Sequence, residues 1–245
     1  MLKVRDNAYD YDVAILKKYN DNNYKFTLHK TIKKKGVEVP RKYSAKCTVN
    51  CEKLDNNTSR AKSKIFEYAL CNDFDYFVTL TLDPKKFNRF DLGNYVKKLG
   101  KFLRNYNRLH NTKVEYLLIP ESHQDGAWHM HGLVKGILEK HLIKNSNGYL
   151  EWGHYTSRFG YMSLGKIKDS ASCAKYMTKY ITKDMGNTIK DIGARMYYCS
   201  KGLKKAVEIK RGTLKKEFQF EFENDYIKTS MLNNINIVDF LLSED

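Results

Sequence analysis

VEYLLIPESHQDGAWHMHGLV, residues 114–134, is the stretch that decides the fold. Its centre, Gln124-Asp125-Gly126-Ala127, predicts a tight turn, because Asp-Gly accepts the positive φ angles that hairpins need. The runs on either side, 114–119 and 128–134, are rich in strand-forming residues. We therefore predict two antiparallel strands joined by a short turn.

The same hairpin predicts a metal site. Side chains alternate between the two faces of a strand, so His129 and His131 point the same way. Glu121 stands at the start of the turn and can bring its carboxylate to the same end of the sheet. Two imidazoles and one carboxylate form a three-ligand site with open positions, which suits a divalent ion that must also hold water or phosphate.

Length and charge narrow the class of protein. The chain has 245 residues, enough for one large domain or for one domain with extensions. Its formal net charge is +16, and the segment 217–245 has one basic residue against seven acidic ones, so the excess lies before it. A basic body with an acidic tail favours a polyanionic partner, and nucleic acid is preferred to an anionic membrane.

Cysteine usage and hydropathy indicate the compartment. Five scattered cysteines, an odd number, are typical of reduced thiols in the cytosol. Cys47 and Cys51 are four residues apart, but nothing nearby completes a zinc site, so we interpret them as structural. No apolar run is long enough to span a membrane and no signal-peptide pattern opens the chain. We expect a cytoplasmic protein with no membrane partner.

Periodicity predicts strands and helices around the hairpin. Further strands are predicted at 24–32, 37–47, 74–82, 149–152, 159–167 and 196–199. Helices are predicted at 91–109, 137–143, 169–184 and from a cap at 57–59 to about residue 70. This order predicts an α+β fold of ferredoxin-like type, in which one central, mostly antiparallel sheet is flanked by helices.

Three segments follow from this assignment. Residues 1–57 are predicted to be a basic N-terminal extension packed on the main domain, 58–205 the main domain, and 206–245 a C-terminal extension with an acidic tail. The first extension is either an ancillary layer or a DNA-contacting arm, whose basic residues include Lys33–Lys35, Arg41 and Lys42. The main-domain candidates for contacts with nucleic acid are Arg60, Lys62, Lys64, Lys97, Lys101 and Lys175.

The predicted helix at 169–184 carries two tyrosines on consecutive turns. At about 100° per residue, Tyr176 and Tyr180 lie about 40° apart. They are rotated away from the buried stripe, which consists of Ala174, Met177 and Ile181. An ordinary amphipathic helix with tyrosines at its boundary is the alternative. Beside a metal site, however, a phenol is a nucleophile that can be linked covalently to a phosphate that the metal polarises.

Lysines flank the tyrosines on this helix. Lys175, Lys179 and Lys183 form a row of like charge with a spacing of four residues, which slightly disfavours an isolated helix. A bound phosphate would relieve the repulsion. The pattern therefore favours a phosphate-bearing partner for this helix.

Taken in order, the motifs resemble those of the HUH endonucleases, in particular the rolling-circle replication initiators of bacteriophages and plasmids. Residues 77–83, FVTLTLD, resemble the first motif, a core strand. Glu121 with His129-Met130-His131 resembles the metal motif, and Tyr176-Met177-Thr178-Lys179-Tyr180 resembles the two-tyrosine form of the nucleophile motif. Residues 197–203, YYCSKGL, resemble the downstream segment of the phage-type initiators.

The resemblance implies a fold and an activity. The fold is the RRM-like HUH fold, and the activity is nicking and rejoining of single-stranded origin DNA, as such or extruded as a hairpin, in a bacterial host cell. The sequence has no Gly-x-x-x-x-Gly-Lys-Ser/Thr phosphate loop, so we expect a host helicase and a DNA polymerase as partners. A transposase, a relaxase, a structural zinc protein and a non-catalytic module that binds single-stranded nucleic acid stay open as alternatives.

The resemblance also implies roles for the metal ligands. Glu121, His129 and His131 would bind Mg²⁺ or Mn²⁺. His123 and Gln124 are other candidates for the third ligand, but the spacing of Glu121 from the histidines matches the family, and a carboxylate suits these ions.

Tyr176 or Tyr180 would be the nucleophile that forms a 5′-phosphotyrosine bond and releases a 3′-OH. Lys179 and Lys183 would position phosphate or stabilise its charge.

Overall fold

The computed structural model describes residues 8–37, 51–181 and 195–233, and the side chains from residue 57 onward in the second range. The strands are β1 (Tyr9–Asn20), β2 (Asn23–Lys33), β3 (Tyr76–Thr81), β4 (Glu115–Ser122), β5 (Trp128–Lys135), β6 (Leu142–Lys144), β7 (Leu150–Trp152), β8 (Met162–Lys166), β9 (Tyr198–Cys199), β10 (Val207–Thr213), β11 (Phe222–Glu223) and β12 (Ile227–Leu232). The helices are α1 (Cys51–Cys71), α2 (Leu92–His110), α3 (Gly153–Thr156) and α4 (Ser170–Lys179), with a 3-10 turn at Glu139–His141. None of the helices in these ranges has the length and hydropathy needed to cross a membrane.

The chain divides into two compact units. The first comprises Met1–Thr48 and Lys205–Asp245, and the second Val49–Lys204. In the first unit the described strands form an antiparallel sheet in the order β10-β1-β2-β12-β11. The two terminal segments, predicted to be separate extensions, thus contribute strands to one sheet.

Strands β1 and β10 to β12 were not predicted from the sequence. In β1, the residues Val13–Leu16 are buried in succession, so the alternation that marks a half-buried strand is missing. The buried core of this sheet consists of Ala14, Leu16, Tyr24 and Phe26. Its partly buried neighbours include Leu214 and Leu232, so residues from both ends of the chain share this core.

The second unit contains the predicted hairpin. Its seven-stranded sheet is antiparallel, in the order β6-β7-β8-β3-β5-β4-β9. Gly126 in the turn has a φ of +83° and donates to the carbonyl of His123, as the Asp-Gly dipeptide predicts. The α+β class with an antiparallel sheet flanked by helices is therefore confirmed.

Helix α2 covers one face of this sheet. Its buried residues join Val78, Leu80 and Met130 in the main core; they are Tyr95, Leu99, Phe102, Leu103 and Tyr106. The side chain of Asp91 caps the helix by accepting a hydrogen bond from the backbone N–H of Asn94 (2.9 Å). The helix predicted at 91–109 is confirmed.

Helices α4 and α1 lie on the opposite face. Phe77 alternates with Val78 along β3, and its ring centroid lies 5.5 Å from that of Tyr176 in α4. Helix α1 packs against α4. The hairpin residues that alternate with Met130, namely His129 and His131, face the same side as Phe77. The face carrying the predicted metal ligands is thus the face that α4 covers.

Several element boundaries differ from the predictions. Helix α1 begins at Cys51, so the cap predicted at 57–59 is wrong. The helix predicted at 137–143 is also wrong: a 3-10 turn is followed by β6, because Leu142 pairs with Trp152. Helix α4 begins after its Asp169 cap but ends at Lys179, short of the predicted 184.

Two sequence assignments fall partly outside the described residues. The strand predicted at 37–47 lies there apart from Val37, which is outside any strand. Cys71, Cys173 and Cys199 are thiols rather than disulfides, as expected, whereas Cys47 and the side chain of Cys51 are outside the description.

Candidate metal and tyrosine site

The hairpin brings one carboxylate and two imidazoles together. Glu121 pairs with His129 across the hairpin, and His131 is two residues farther along the same face. The Oε2 atom of Glu121 lies 2.8 Å from His131 Nε2 and 3.7 Å from His129 Nε2. One ligand atom from each of the three residues lies within 4.8 Å of the others. Nitrogen and oxygen donors at this spacing can share one divalent ion.

Thr79 orients one of the imidazoles. It pairs with His131 in the sheet, and its Oγ1 lies 3.1 Å from His131 Nδ1. A polar partner on the far nitrogen fixes the ring of a metal-binding histidine. Thr79 was not predicted from the sequence as a site residue. The available signal was the polar Thr79 and Thr81 alternating with buried Val78 and Leu80 in an otherwise apolar strand.

Burial keeps both imidazoles neutral. It lowers the pKa of His129 to about 4, and the nearby His123 and His131 contribute to this lowering. Burial, followed by the effect of His123, lowers the pKa of His131 to about 4. At neutral pH each ring therefore has a lone pair for a metal ion.

His123, the alternative third ligand, is next to the cluster. Its ring packs edge-on against His129, with centroids 3.7 Å apart.

The two tyrosines lie directly beside these ligands. The ring of Tyr180 stacks on that of His131, with centroids 4.3 Å apart and an interplanar angle of 17°. The Tyr180 hydroxyl donates a hydrogen bond to the Tyr176 hydroxyl oxygen (2.8 Å). Phe77 lies close to both rings, with centroids 5.5 Å from Tyr176 and 6.1 Å from Tyr180. Two phenols and three potential metal ligands thus share one site.

The two phenols have different surroundings. Burial raises the pKa of the Tyr180 hydroxyl, as do its hydrogen bond to Tyr176 and the negative charge of Glu121. Tyr176 is 46% exposed and accepts the hydrogen bond from Tyr180. Tyr176 is therefore the phenol more open to a ligand approaching from solvent.

The predicted lysines of the tyrosine helix are only partly described. The Nζ atom of Lys179 lies 5.8 Å from the ring centroid of Tyr176, so its positive charge is close to the phenol. Lys175 is exposed on the same helix. Lys183 lies outside the described residues.

Helix α1 contributes basic residues next to α4. Arg60 and Lys62 are exposed, whereas Lys64 forms an ion pair with Glu67. A groove runs between α1 and the segment before β9. Its lining consists of Asn57, Arg60, Ala61, Lys64, Arg195, Met196, Tyr197 and Cys199. Cationic and aromatic side chains in one groove can bind a nucleic-acid strand.

The remaining basic candidates lie elsewhere. Lys97 and Lys101 are exposed on α2, which covers the sheet face opposite the metal ligands. In the first unit, Lys34 and Lys35 form ion pairs with Asp10 and Glu208. The structure therefore places Arg60, Lys62 and Lys175 on helices of the tyrosine side, and does not place Lys97 or Lys101 there.

Residues 75–185 match a family model described as Replication-associated protein ORF2. The matched segment covers less than half of the chain and runs from the start of β3 past the tyrosine helix, so it contains all the metal ligands and both phenols. This similarity supports a replication initiator of the Rep type. Comparisons with curated proteins and with solved structures found no significant match.

Proposed function

We propose that this protein initiates rolling-circle replication by nicking and rejoining single-stranded origin DNA in a metal-dependent HUH-type site. The observation that carries the proposal is the stacking of Tyr180 on His131 at 4.3 Å, with the Tyr176 hydroxyl one hydrogen bond away. A phenol beside a set of metal ligands is the arrangement that tyrosine transesterification of a phosphodiester needs.

Glu121, His129 and His131 would hold the ion. Their donor atoms fit one, because they lie within 4.8 Å of one another and Thr79 orients the ring of His131. A carboxylate in the set suits Mg²⁺ or Mn²⁺. When bound, the ion supplies Lewis acidity toward an oxygen of the scissile phosphate.

The tyrosine supplies the nucleophile. The Tyr176 oxygen attacks the scissile phosphorus and loses its proton, while the bond from phosphorus to the 3′ oxygen breaks. The 3′ oxygen takes up a proton and leaves as a 3′-OH that primes synthesis, and the 5′ end stays attached as a phosphotyrosine. Lys179, close to the Tyr176 ring, favours the negative charge that develops on the phenol. Because the ester retains the free energy of the phosphodiester, rejoining needs no ATP.

The second tyrosine gives the site a second turnover. While Tyr176 holds the first 5′ end, the Tyr180 oxygen can attack a newly made origin from the neighbouring position. The released 3′-OH then attacks the first phosphotyrosine and closes a circle. A host helicase and a DNA polymerase would supply unwinding and synthesis.

Formation of a covalent adduct tests the proposal. The full chain is incubated with Mn²⁺ and labelled single-stranded origin DNA, and the adduct is detected after denaturation. We expect an adduct with the wild type and with Tyr149→Phe, which removes the hydroxyl of a tyrosine 60% exposed in a turn before β7. We expect none with the double variant Tyr176→Phe/Tyr180→Phe. An adduct with the double variant would exclude these nucleophiles, and tight binding without any wild-type adduct would indicate a non-catalytic binding module.

A further inference from the structure

Three histidines outside the proposed active site converge at one place in the second unit. His110 is the last residue of α2, His141 ends the 3-10 turn, and His154 lies in α3. One nitrogen from each ring lies within 4.8 Å of the others. The ring centroids are 4.5 Å apart for His110 and His141, 5.2 Å for His110 and His154, and 4.4 Å for His141 and His154.

Tyr106 orients this cluster. Its hydroxyl lies 2.7 Å from Nδ1 of His141, so Nε2 is the nitrogen of His141 available to an ion. The Tyr106 ring also packs against His110 and His154, with centroids 4.5 Å and 5.4 Å away. A hydrogen-bond partner on the far nitrogen is the arrangement that fixes the rings of metal-binding histidines.

The cluster is distant from Glu121, His129 and His131. The Thr112 hydroxyl donates to the Gly136 carbonyl (3.0 Å), which places the end of α2 at the end of β5 away from His129. The strand from His129 to Gly136 corresponds to about 20 Å. Helix α2 also covers the opposite face of the sheet. One ion cannot serve both clusters.

We infer that His110, His141 and His154 form a second metal site, for a Zn²⁺-type transition ion. Three imidazoles without a carboxylate favour Zn²⁺ over Mg²⁺ or Mn²⁺, which prefer oxygen ligands. The three rings reach the surface, His154 being exposed, so an ion can enter and water can complete the coordination. Bound there, the ion would join the end of α2 to the turn before β6 and to α3.

The alternative is that the histidines only pack against Tyr106. Burial and the neighbouring His154 and His110 lower the pKa of His141, so its ring is neutral, as both packing and metal binding require. The two cases differ in one measurable respect, because a packing cluster does not take up zinc.

Zinc uptake tests the inference without DNA. The full chain with Glu121→Gln and His131→Gln, which disables the proposed active site, is dialysed against Zn²⁺ with a competing chelator, and bound zinc is measured by elemental analysis. We expect one equivalent of zinc and a zinc-dependent rise in the melting temperature. Adding His154→Gln or, separately, His110→Gln should abolish both effects.

His29→Gln is the matched control, because it removes a histidine from β2 in the other unit. It should keep the bound zinc and the thermal shift. Circular dichroism checks that each variant is folded, and the exposed His154 is the position where substitution disturbs packing least. No zinc bound to the background variant, or the same amount after His154→Gln, would overturn the inference. His154→Gln alone should leave adduct formation unchanged, which separates this site from the proposed nicking site.

Discussion

At the scale of single residues, the two phenols of the site differ in exposure and in hydrogen bonding. Tyr176 is 46% exposed and accepts a hydrogen bond from Tyr180, and a donor to the phenol oxygen stabilises its negative charge. Tyr180 is more buried, and burial raises its pKa. Under the proposed mechanism, Tyr176 is the better first nucleophile.

We therefore predict that Tyr176→Phe slows the first adduct more than Tyr180→Phe does, by about tenfold or more, the range that a hydrogen bond to a charged group accounts for. Single-turnover adduct formation on labelled DNA, with each variant and Mn²⁺, measures the two rates. Equal rates would show that the difference in surroundings does not set the order.

The buried imidazoles predict a pH dependence of stability in the metal-free chain. Their pKa values are about 4 in the folded state, against about 6.5 when unfolded. Between these values the unfolded chain binds more protons, so the free energy of unfolding is highest above pH 6.5 and falls toward pH 4. The loss is on the order of 2 kcal/mol per histidine.

Urea unfolding in the presence of EDTA at pH 7 and pH 4.5 measures this loss. Tryptophan fluorescence reports on the right unit, because Trp128 and Trp152 both lie in Val49–Lys204. His129→Gln/His131→Gln should lose less stability over the same interval. The same pH dependence in this variant would assign the effect to other groups.

At the scale of elements, Gly132 sets the distance between the strands that carry the ligands. It follows His131 in β5, and a Cβ atom built there would lie 2.2 Å from the carbonyl oxygen of Leu117 in β4. No side chain fits against that backbone atom, so any larger residue must push β4 and β5 apart. These are the strands that hold Glu121 beside the histidines.

Gly132→Ala should therefore destabilise the second unit by about 1–3 kcal/mol, the range for overpacked cores, and should reduce adduct formation. Gly165→Ala is the matched control in β8, since a Cβ atom there has nothing within 4 Å. Urea unfolding followed by tryptophan fluorescence compares the two. Equal stabilities would contradict the role of the close strand approach.

At the scale of the whole molecule, the basic charge is distributed over both faces of the seven-stranded sheet. Arg60 on α1 and Lys175 on α4 belong to the side of the tyrosines, whereas Lys97 and Lys101 belong to α2 on the other side. If DNA reaches Tyr176, its phosphates pass near the first pair. Net charge alone would make the two pairs equivalent.

Arg60→Gln/Lys175→Gln should weaken binding of single-stranded DNA and lower the slope of log affinity against log salt by about 1.4, for two lost phosphate contacts. Lys97→Gln/Lys101→Gln removes the same charge and should change the slope less. Fluorescence anisotropy at several salt concentrations provides both slopes. Equal changes would place the DNA path away from the tyrosine side.

Local features of the site could be predicted from the sequence, because they depend on residues close together in the chain. The Asp-Gly turn, the shared face of His129 and His131, and the position of Glu121 opposite His129 all follow from one hairpin. The capped helix after Asp91 likewise follows from its own periodicity. The proposed pairing of a metal with two tyrosines rested on a resemblance, since no local rule joins β5 to α4.

Only the tertiary structure decided which distant segments meet. It stacked Tyr180 on His131, brought β1 and β10 into one sheet, and gathered His110, His141 and His154 around Tyr106. Periodicity reports which face of an element is apolar, but contacts across the chain depend on how those faces pack together. The chain by itself therefore determined the hairpin with its ligands, and packing determined what stands beside them.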